Sequence, residues 1–332
     1  MDLPIIAISA GDVNGIGPEV ILKAFDRSEL FDVCIPVVYG PAAAFEWYAH
    51  RLGLQHIPVD AVRTPATAQQ GRLNMVDLGS HFQAAEIGKP TPLSGKASLD
   101  AVRAAFDDVF AKRADALVTA PISKEAIGLA GSGYHGHTEM LADFCGCGDD
   151  VIMILSGNTM KVGLVTVHMP VSAIAPALTR QAVERTLRLG LRAMTTDFGV
   201  DNPRLAVLAL NPHAGDGGYL GSEERDIIIP AIEAMRDEAG SIEGPFAADG
   251  FFSTHNKTLY DLIIAMYHDQ GLIPFKMQAQ GRGVNVSCGL PIVRTSPDHG
   301  TAYGIASHGL ASAESMKEAV LAARRIALNR RQ

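Results

Sequence analysis

Apolar residues in this chain come in short runs. Each run ends in a knot of glycine, proline and short polar residues, and most lead into a segment with helical spacing. The runs Ile5–Ser9, Val33–Gly40, Ala116–Pro121, Lys161–Val167, Arg204–Leu210 and Leu262–Met266 read as buried strands. Helical spacing follows over Pro18–Phe25, Pro41–Leu52, Lys96–Lys112, Ser222–Ala239 and Ser315–Asn329, and again after Gly131–Glu139. Pro18 suits a first helical position and Glu19 complements the positive end of the dipole. Ser94 is expected to cap the third helix, and Ser315-x-x-Glu318 has the form of a capping box. Val183, Leu187, Leu191 and Met194 recur at helical spacing and form a stripe that should face a core. Thr64–Pro92 is polar and rich in turn residues, which predicts loops and short strands at the surface. Strands alternating with helices predict an α/β fold with parallel pairing, so the strand tips should gather at one end of a sheet.

Composition narrows the class. Hydrophobic residues make up 47% of the 332 and charged residues 19%, enough apolar content for a large core or two domains. Lys plus Arg total 28 against 36 for Asp plus Glu, and the net charge of −8 argues against nucleic acid or an anionic membrane as partner. No apolar stretch approaches the ~20 residues of a membrane span, and the first residues lack the basic start of a signal peptide. Cys34, Cys145, Cys147 and Cys288 match neither a zinc ribbon nor C-x-x-C, so reduced thiols in a cytoplasmic protein are expected.

The polar tips carry the chemistry. His168, His213 and His268 each stand just beyond an apolar run, at a tip built of Pro, Gly, Asn or Asp. A single such histidine is more often structural, but three at equivalent tips can meet at one divalent metal and leave positions open for a substrate. Lys276 and Arg294 are the cationic candidates, in a stretch where Arg282 is the one other charge, and Asn285 lies between them. Arginine suits two-point contact with carboxylate or phosphate, and lysine a point charge or proton carrier. His137 and Thr138, at the start of a helix, can offer donors to an anion, although Thr138 is equally well read as a cap. Two phosphate-loop readings fail. Gly11, Gly15 and Gly17 do not fit G-x-G-x-x-G, and Gly88–Lys96 has Pro90 and Ala97 at positions that a phosphate loop needs otherwise. Asp12 and Asn14 still sit at a strand tip, which points to more than a scaffolding part.

The motifs GDVNGIGPE, GHTE, LNPHAGDGG, AMYHDQG, GRGVN, GLPIVRTS and DHGTA, in this order over nearly the whole chain, resemble the 4-hydroxythreonine-4-phosphate dehydrogenase family of vitamin B6 biosynthesis. The resemblance implies a two-domain fold like those of isocitrate and isopropylmalate dehydrogenases, with an interdomain cleft and an active site shared across a homodimer. It places residues 1–130 with 300–332 in a first domain. A second domain, 131–299, would carry most metal and substrate residues and the dimer interface. It implies metal ligands at His168, His213 and His268, one from the partner subunit, for Zn, Mg or Co. It implies substrate contacts at His137, Thr138, Lys276, Asn285 and Arg294. The implied reaction is NAD- or NADP-dependent oxidation of 4-phosphonooxy-L-threonine to a 3-keto acid, which loses carbon dioxide to give 3-amino-2-oxopropyl phosphate. Asp249 and Asp269 are then candidates to orient a ligand histidine or the substrate ammonium. Gly215, Gly217, Gly218, His299 and Gly300 are candidates to hold the nicotinamide cofactor.

One motif departs. Many members read G-E-P before the first Gly-Ile-Gly-Pro, where this chain has Gly11-Asp12-Val13-Asn14, so that loop does not vouch for the substrate. Related branches oxidise D-threonate or D-erythronate 4-phosphate, or an aromatic carboxylate cis-dihydrodiol. A β-decarboxylating dehydrogenase with a carboxylate-held metal would need an aspartate cluster that the sequence lacks. A metal-dependent hydrolase would use the same three histidines to activate water without a nicotinamide. A noncatalytic anion-binding protein would bind without turnover.

Overall fold

The computed structural model describes residues 3–27, 29–79, 82–235, 241–253 and 258–331. Strand β1 (Ile5–Ser9) has Ile6, Ala7 and Ile8 fully buried, so it must be central, with partners on both edges and layers on both faces. Strands β2 (Ile35–Gly40), β3 (Val59–Ala61), β4 (Leu73–Asp77) and β5 (Ala116–Thr119) join it, together with β12 (Arg294–Pro297) from the far end of the sequence. The order is β3-β4-β2-β1-β5-β12 and every pairing is parallel, with Ile5 opposite Ile35 and Ile6 opposite Ala116. Strand β4 was not foreseen as a core element. Its Leu73, Asn74 and Met75 are buried inside the sheet, in the middle of the stretch expected at the surface. Asn74 is tolerated there because its amide donates to the Pro36 and Gln69 carbonyls and accepts from Gln69 N–H.

The loop after β1 proves to be scaffold. Asp12 and Asn14 are buried, and their polar groups turn inward. Asp12 accepts from Asn14 N–H, from Tyr303 Oη at 2.7 Å and from Ser94 Oγ at 3.2 Å. Asn14 donates to the Lys89 carbonyl and to Thr91 Oγ1. Burial raises the Asp12 pKa, and those donors pull the other way. The loop thus ties the first helix (Gly17–Phe25) to the helix Pro92–Phe110 and to the turn at Tyr303. That second helix begins earlier than expected. Thr91 is its N-cap, and Ser94, at the third position, closes a reciprocal capping box. Ser315, by contrast, caps nothing. The last helix runs Glu314–Asn329, and the Ser315 hydroxyl instead accepts from Asp298 N–H, tethering the turn after β12.

The remaining strands form a second sheet segment: β6 (Ile152–Ser156), β7 (Lys161–Leu164), β8 (Arg204–Leu208), β9 (Ser241–Phe246), β10 (Leu262–Ala265) and β11 (Val284–Cys288). Their order is β11-β6-β7-β10-β8-β9. Strands β7, β10, β8 and β9 are mutually parallel, and β6 runs antiparallel to both β7 and β11. Val162, Leu164, Ala206, Leu208, Ile263 and Ala265 pack with Phe275 into the core. The stripe Val183, Leu187, Leu191 and Met194 is buried on the helix Arg180–Thr196, as its spacing requires. The helix expected over Ser222–Ala239 starts as a π turn, Glu224–Ile228, and continues as α-helix over Ile229–Ala234; the expected end at Ala239 lies outside the described residues.

The chain divides into two units, residues 1–148 with 290–332, and residues 149–289. Segments 131–148 and 290–299, expected in the second domain, therefore belong to the first. The reasons are local: β12 hydrogen-bonds to β5, and Phe144 packs on Phe106 with the Arg103 guanidinium over its ring. Among the described residues no helix is long and apolar enough to cross a membrane.

Candidate active site

In the second unit the site is built on adjacent parallel strands. Strands β7 and β10 are neighbours in register, with Leu164 opposite Ala265. Beyond the register the two tips stay tied, because Thr166 donates to the Met266 carbonyl through both its N–H (3.1 Å) and its Oγ1 (2.7 Å). Two residues past each anchor stand His168 and His268, and their ring centroids lie 5.7 Å apart. His268 opens the helix His268–Ala279, which lies close over the sheet because position 271 is glycine. A Cβ on Gly271 would come within 2.6 Å of Val162 Cγ1 and 2.9 Å of Ala265 Cβ. This helix was not foreseen in the sequence, where Gly271 and Pro274 are helix-weakening residues. Asp269 Oδ1 sits 2.7 Å from His268 Nδ1. A carboxylate only accepts, so Nδ1 carries the proton and Nε2 keeps its lone pair facing away. Two imidazoles at one strand end, one with its tautomer fixed by a carboxylate, make a donor set suited to a divalent cation.

His213 does not join them within the chain. Strand β8 is the next neighbour of β10, and Gln270 links the tips by accepting from Met266 N–H and donating to the Ala209 carbonyl. After Asn211, however, residues His213 to Gly217 run through five successive left-handed conformations, with φ between 42° and 77°. This turn carries His213 to an exposed position. Among the described residues no three His, Cys, Asp or Glu side chains gather where they could hold one metal ion. Asp249 lies exposed in the short helix Ala248–Ser253 that follows β9. Lys276 is exposed in the last turn of the helix that His268 opens. Asn285 sits on β11, opposite Leu155, and its Oδ1 is sealed from solvent without a hydrogen-bond partner. This unit also exposes apolar side chains: Val171, Tyr219, Ile273 and Met277 are 82%, 88%, 58% and 75% accessible.

The first unit holds a buried cation beside a histidine. Arg294, the first residue of β12, is buried (2% exposed) and donates to Thr119 Oγ1 through both Nε and Nη2, at 3.2 and 2.6 Å. Desolvation pulls its pKa down to about 9, which leaves it charged at neutral pH. His137 opens the helix His137–Cys145 behind Gly136, so Thr138 is the second helical residue and not the cap. Glu139 accepts from His135 N–H instead. His137 is half-buried, but its Nε2 is sealed from solvent and has no partner. Burial drives its pKa well below the usual histidine value, and the neighbouring Arg294 charge adds to the shift. A neutral imidazole with an orphaned buried nitrogen beside a buried guanidinium lacks what an anion would supply.

Past His299 and Gly300 the chain walls a cavity of about 380 Å³, which sequence reading did not find. It is lined by Trp47, Arg51, Ile87, Tyr303 and His308 among others, all in the first unit. His299 Nε2 is also buried without a partner. Gly215, Gly217 and Gly218, the other cofactor candidates, belong to the left-handed turn of the second unit.

Comparison with known proteins shows the family. The family model described as "Pyridoxal phosphate biosynthetic protein PdxA" matches residues 32–323. A 4-hydroxythreonine-4-phosphate dehydrogenase from Bacteroides thetaiotaomicron is 43% identical over 327 residues, 98% of this chain and 90% of the relative. The crystal structure of 4-hydroxythreonine-4-phosphate dehydrogenase from Klebsiella pneumoniae superposes with a TM-score of 0.88 at 34% identity, covering 98% of each chain. A terephthalate 1,2-cis-dihydrodiol dehydrogenase from Burkholderia xenovorans superposes less well, at 0.63 and 29% identity over 95% of this chain and 96% of that one. With matches of this length and identity, the chain belongs to the PdxA family of pyridoxal phosphate biosynthetic proteins.

Proposed function

We propose that this chain is a nicotinamide-dependent 4-hydroxythreonine-4-phosphate dehydrogenase that needs a divalent cation. It would oxidise the C3 alcohol of 4-phosphonooxy-L-threonine to a keto acid that then loses carbon dioxide. The observation that carries the reading is the pair His168 and His268, 5.7 Å apart at neighbouring strand ends, with Asp269 fixing the His268 tautomer. The relatives' names supply the substrate.

The residues fit a cation. His168 and His268 would hold it from one chain, and His213, presented outward on its left-handed turn, would complete the set from the partner of a homodimer. The exposed Val171, Tyr219, Ile273 and Met277, all in the unit that carries the three histidines, supply apolar surface for that dimer. When bound, such a cation acidifies an alcohol and polarises a ketone; Zn, Mg and Co all suit the chemistry.

The chain's own residues do the rest. Arg294 forks onto an anionic group of the substrate while Thr119 holds its guanidinium in place. His137, neutral in the free protein, can donate from Nε2 to the same group, which answers its missing partner. Thr138 adds a hydroxyl at that helix start, and Asn285 Oδ1 awaits a donor such as the substrate ammonium. Lys276 would serve as a point charge or proton carrier, and Asp249 would orient the ammonium. NAD or NADP, when bound, would supply the hydride acceptor. The cavity beyond His299 and Gly300 fits its adenosine portion, with Trp47 and Tyr303 as faces for a base and Arg51 for a phosphate. This reading sets Gly215, Gly217 and Gly218 aside as structural residues of the turn. The four free thiols suit the reducing cytoplasm.

The deciding experiment incubates the chain with 4-phosphonooxy-L-threonine and NAD or NADP, with and without a chelator, and follows reduced nicotinamide. Chelator-sensitive reduction is expected. Reduction seen only with D-threonate 4-phosphate, D-erythronate 4-phosphate or an aromatic cis-dihydrodiol would move the protein to another branch. Hydrolysis without nicotinamide would overturn the reading.

A further inference from the structure

Three local irregularities meet behind His213, and none is explained by packing alone. The first is the left-handed run from His213 to Gly217, which puts the non-glycine residues His213, Ala214 and Asp216 at positive φ. Left-handed conformations cost L-residues ~1 kcal/mol or more each, so a run of them needs an external hold. The second is the π turn Glu224–Ile228, a rare form that recurs at functional positions. The third is the Glu224 carboxylate itself, only 3% exposed.

That carboxylate points into the root of the left-handed run. Glu224 Oε1 accepts from the backbone N–H groups of both Leu210 and Asn211, at 2.8 and 2.7 Å. Its Oε2 accepts from Asn211 Nδ2 at 3.0 Å, and Asn211 Nδ2 also donates to Glu223 Oε2 at 2.7 Å. Oε2 also packs against the turn. A Cβ built on Gly215 would lie 2.7 Å from it, so glycine is required there by space as well as by its φ of 77°. The turn closes on itself through Ala214 N–H to the Asn211 carbonyl and Leu220 N–H to the Gly215 carbonyl. Every outside hydrogen bond described here on its root, Leu210 and Asn211, runs to Glu223 or Glu224.

We infer that Glu224 is a positioning residue for metal binding: its buried carboxylate braces the left-handed turn that presents His213. The inference rests on the reading of His213 as a ligand and adds to it the group that sets that ligand's place. One oxygen shared by two consecutive amides fixes where β8 ends and the turn begins, and the other limits how far the turn can lean. A glutamine keeps one acceptor but opposes an N–H₂ group to the Asn211 amide, and an aspartate is one methylene short of the amides.

The test titrates cobalt(II) into the metal-free intact chain and its variants, read by calorimetry and by the cobalt visible absorption. Thermal unfolding is recorded in parallel. His213→Ala establishes the loss expected when the ligand is gone. Glu224→Gln and Glu224→Asp should weaken cobalt binding about tenfold to hundredfold, the range seen when a group that orients a ligand is removed. Gly215→Ala leaves Glu224 in the sequence but sets a methyl against its carboxylate and strains the turn at its φ of 77°, and should give the same loss and the same change in absorption. Should either Glu224 variant not fold, Gly215→Ala decides. Cobalt affinity unchanged in the folded Glu224 and Gly215 variants, with only a lower melting temperature, would overturn the inference while leaving His213 as a ligand. Unchanged affinity in His213→Ala would overturn the ligand reading, and the inference with it.

Discussion

At the scale of single residues, burial decides the behaviour of the proposed anion-binding groups. The folded chain keeps His137 neutral at a pH where an unfolded chain has begun to protonate its histidines. Its folded pKa lies below the ordinary value of ~6.5, so the unfolded state binds more protons as the medium acidifies and stability drains away below that pH. His137→Asn should therefore flatten the acid limb of a stability-versus-pH profile measured by urea unfolding. An unchanged limb would show that other groups set it. Arg294 makes a different prediction. Arg294→Lys keeps a charge but loses the fork onto Thr119 Oγ1. KM for the phosphorylated substrate should rise about tenfold to hundredfold with kcat nearly kept, in steady-state kinetics. Sequence showed these residues as types, since a lone arginine among apolar neighbours stands out. Their partners did not show, because nothing along the chain ties Thr119 to a position 175 residues later.

Among the elements, strand runs and most helix starts were legible, and one whole helix was not. Ile5–Ser9 and Leu262–Ala265 appear nearly where the apolar pattern put them. The helix His268–Ala279 was hidden because Gly271 and Pro274 are helix-weakening residues in isolation. Close contact of that helix with β7 and β10 overrides the penalty, and the same contact makes Gly271 indispensable. Gly271→Ala must push the helix off Val162 and Ala265. A loss of about 1–3 kcal/mol in unfolding free energy is expected, with weaker divalent-cation binding because His268 moves with the helix. Wild-type cation affinity in that variant would separate the helix position from the ligand. Ser315 and Asp12 mislead in the opposite sense. Both look like local signals, a cap and a strand-tip acid, and both are spent on long-range ties, to Asp298 and to Tyr303. A capping motif and a tether read alike until the fold shows which amide is near.

For the molecule as a whole, the alternation of strand and helix was enough to give the α/β class, and the three histidines were rightly placed at three strand ends that prove adjacent in the sheet. What the pattern did not show is that two of these rings meet inside the chain while the third faces outward. Mixing tests the proposed completion by a partner. His213→Ala and His268→Ala chains, each inactive alone, should regain about a quarter of wild-type activity when unfolded and refolded together, since half of the randomly formed dimers would hold one intact site of two. No recovery would mean that all three rings serve one chain. The outward-facing imidazole also bears on how the enzyme should be assayed. If a neighbour must lend a ring, turnover per chain becomes a function of how crowded the chains are. Specific activity should then sag in a dilution series near the dissociation constant of the pair and recover on adding catalytically dead chains that still carry His213.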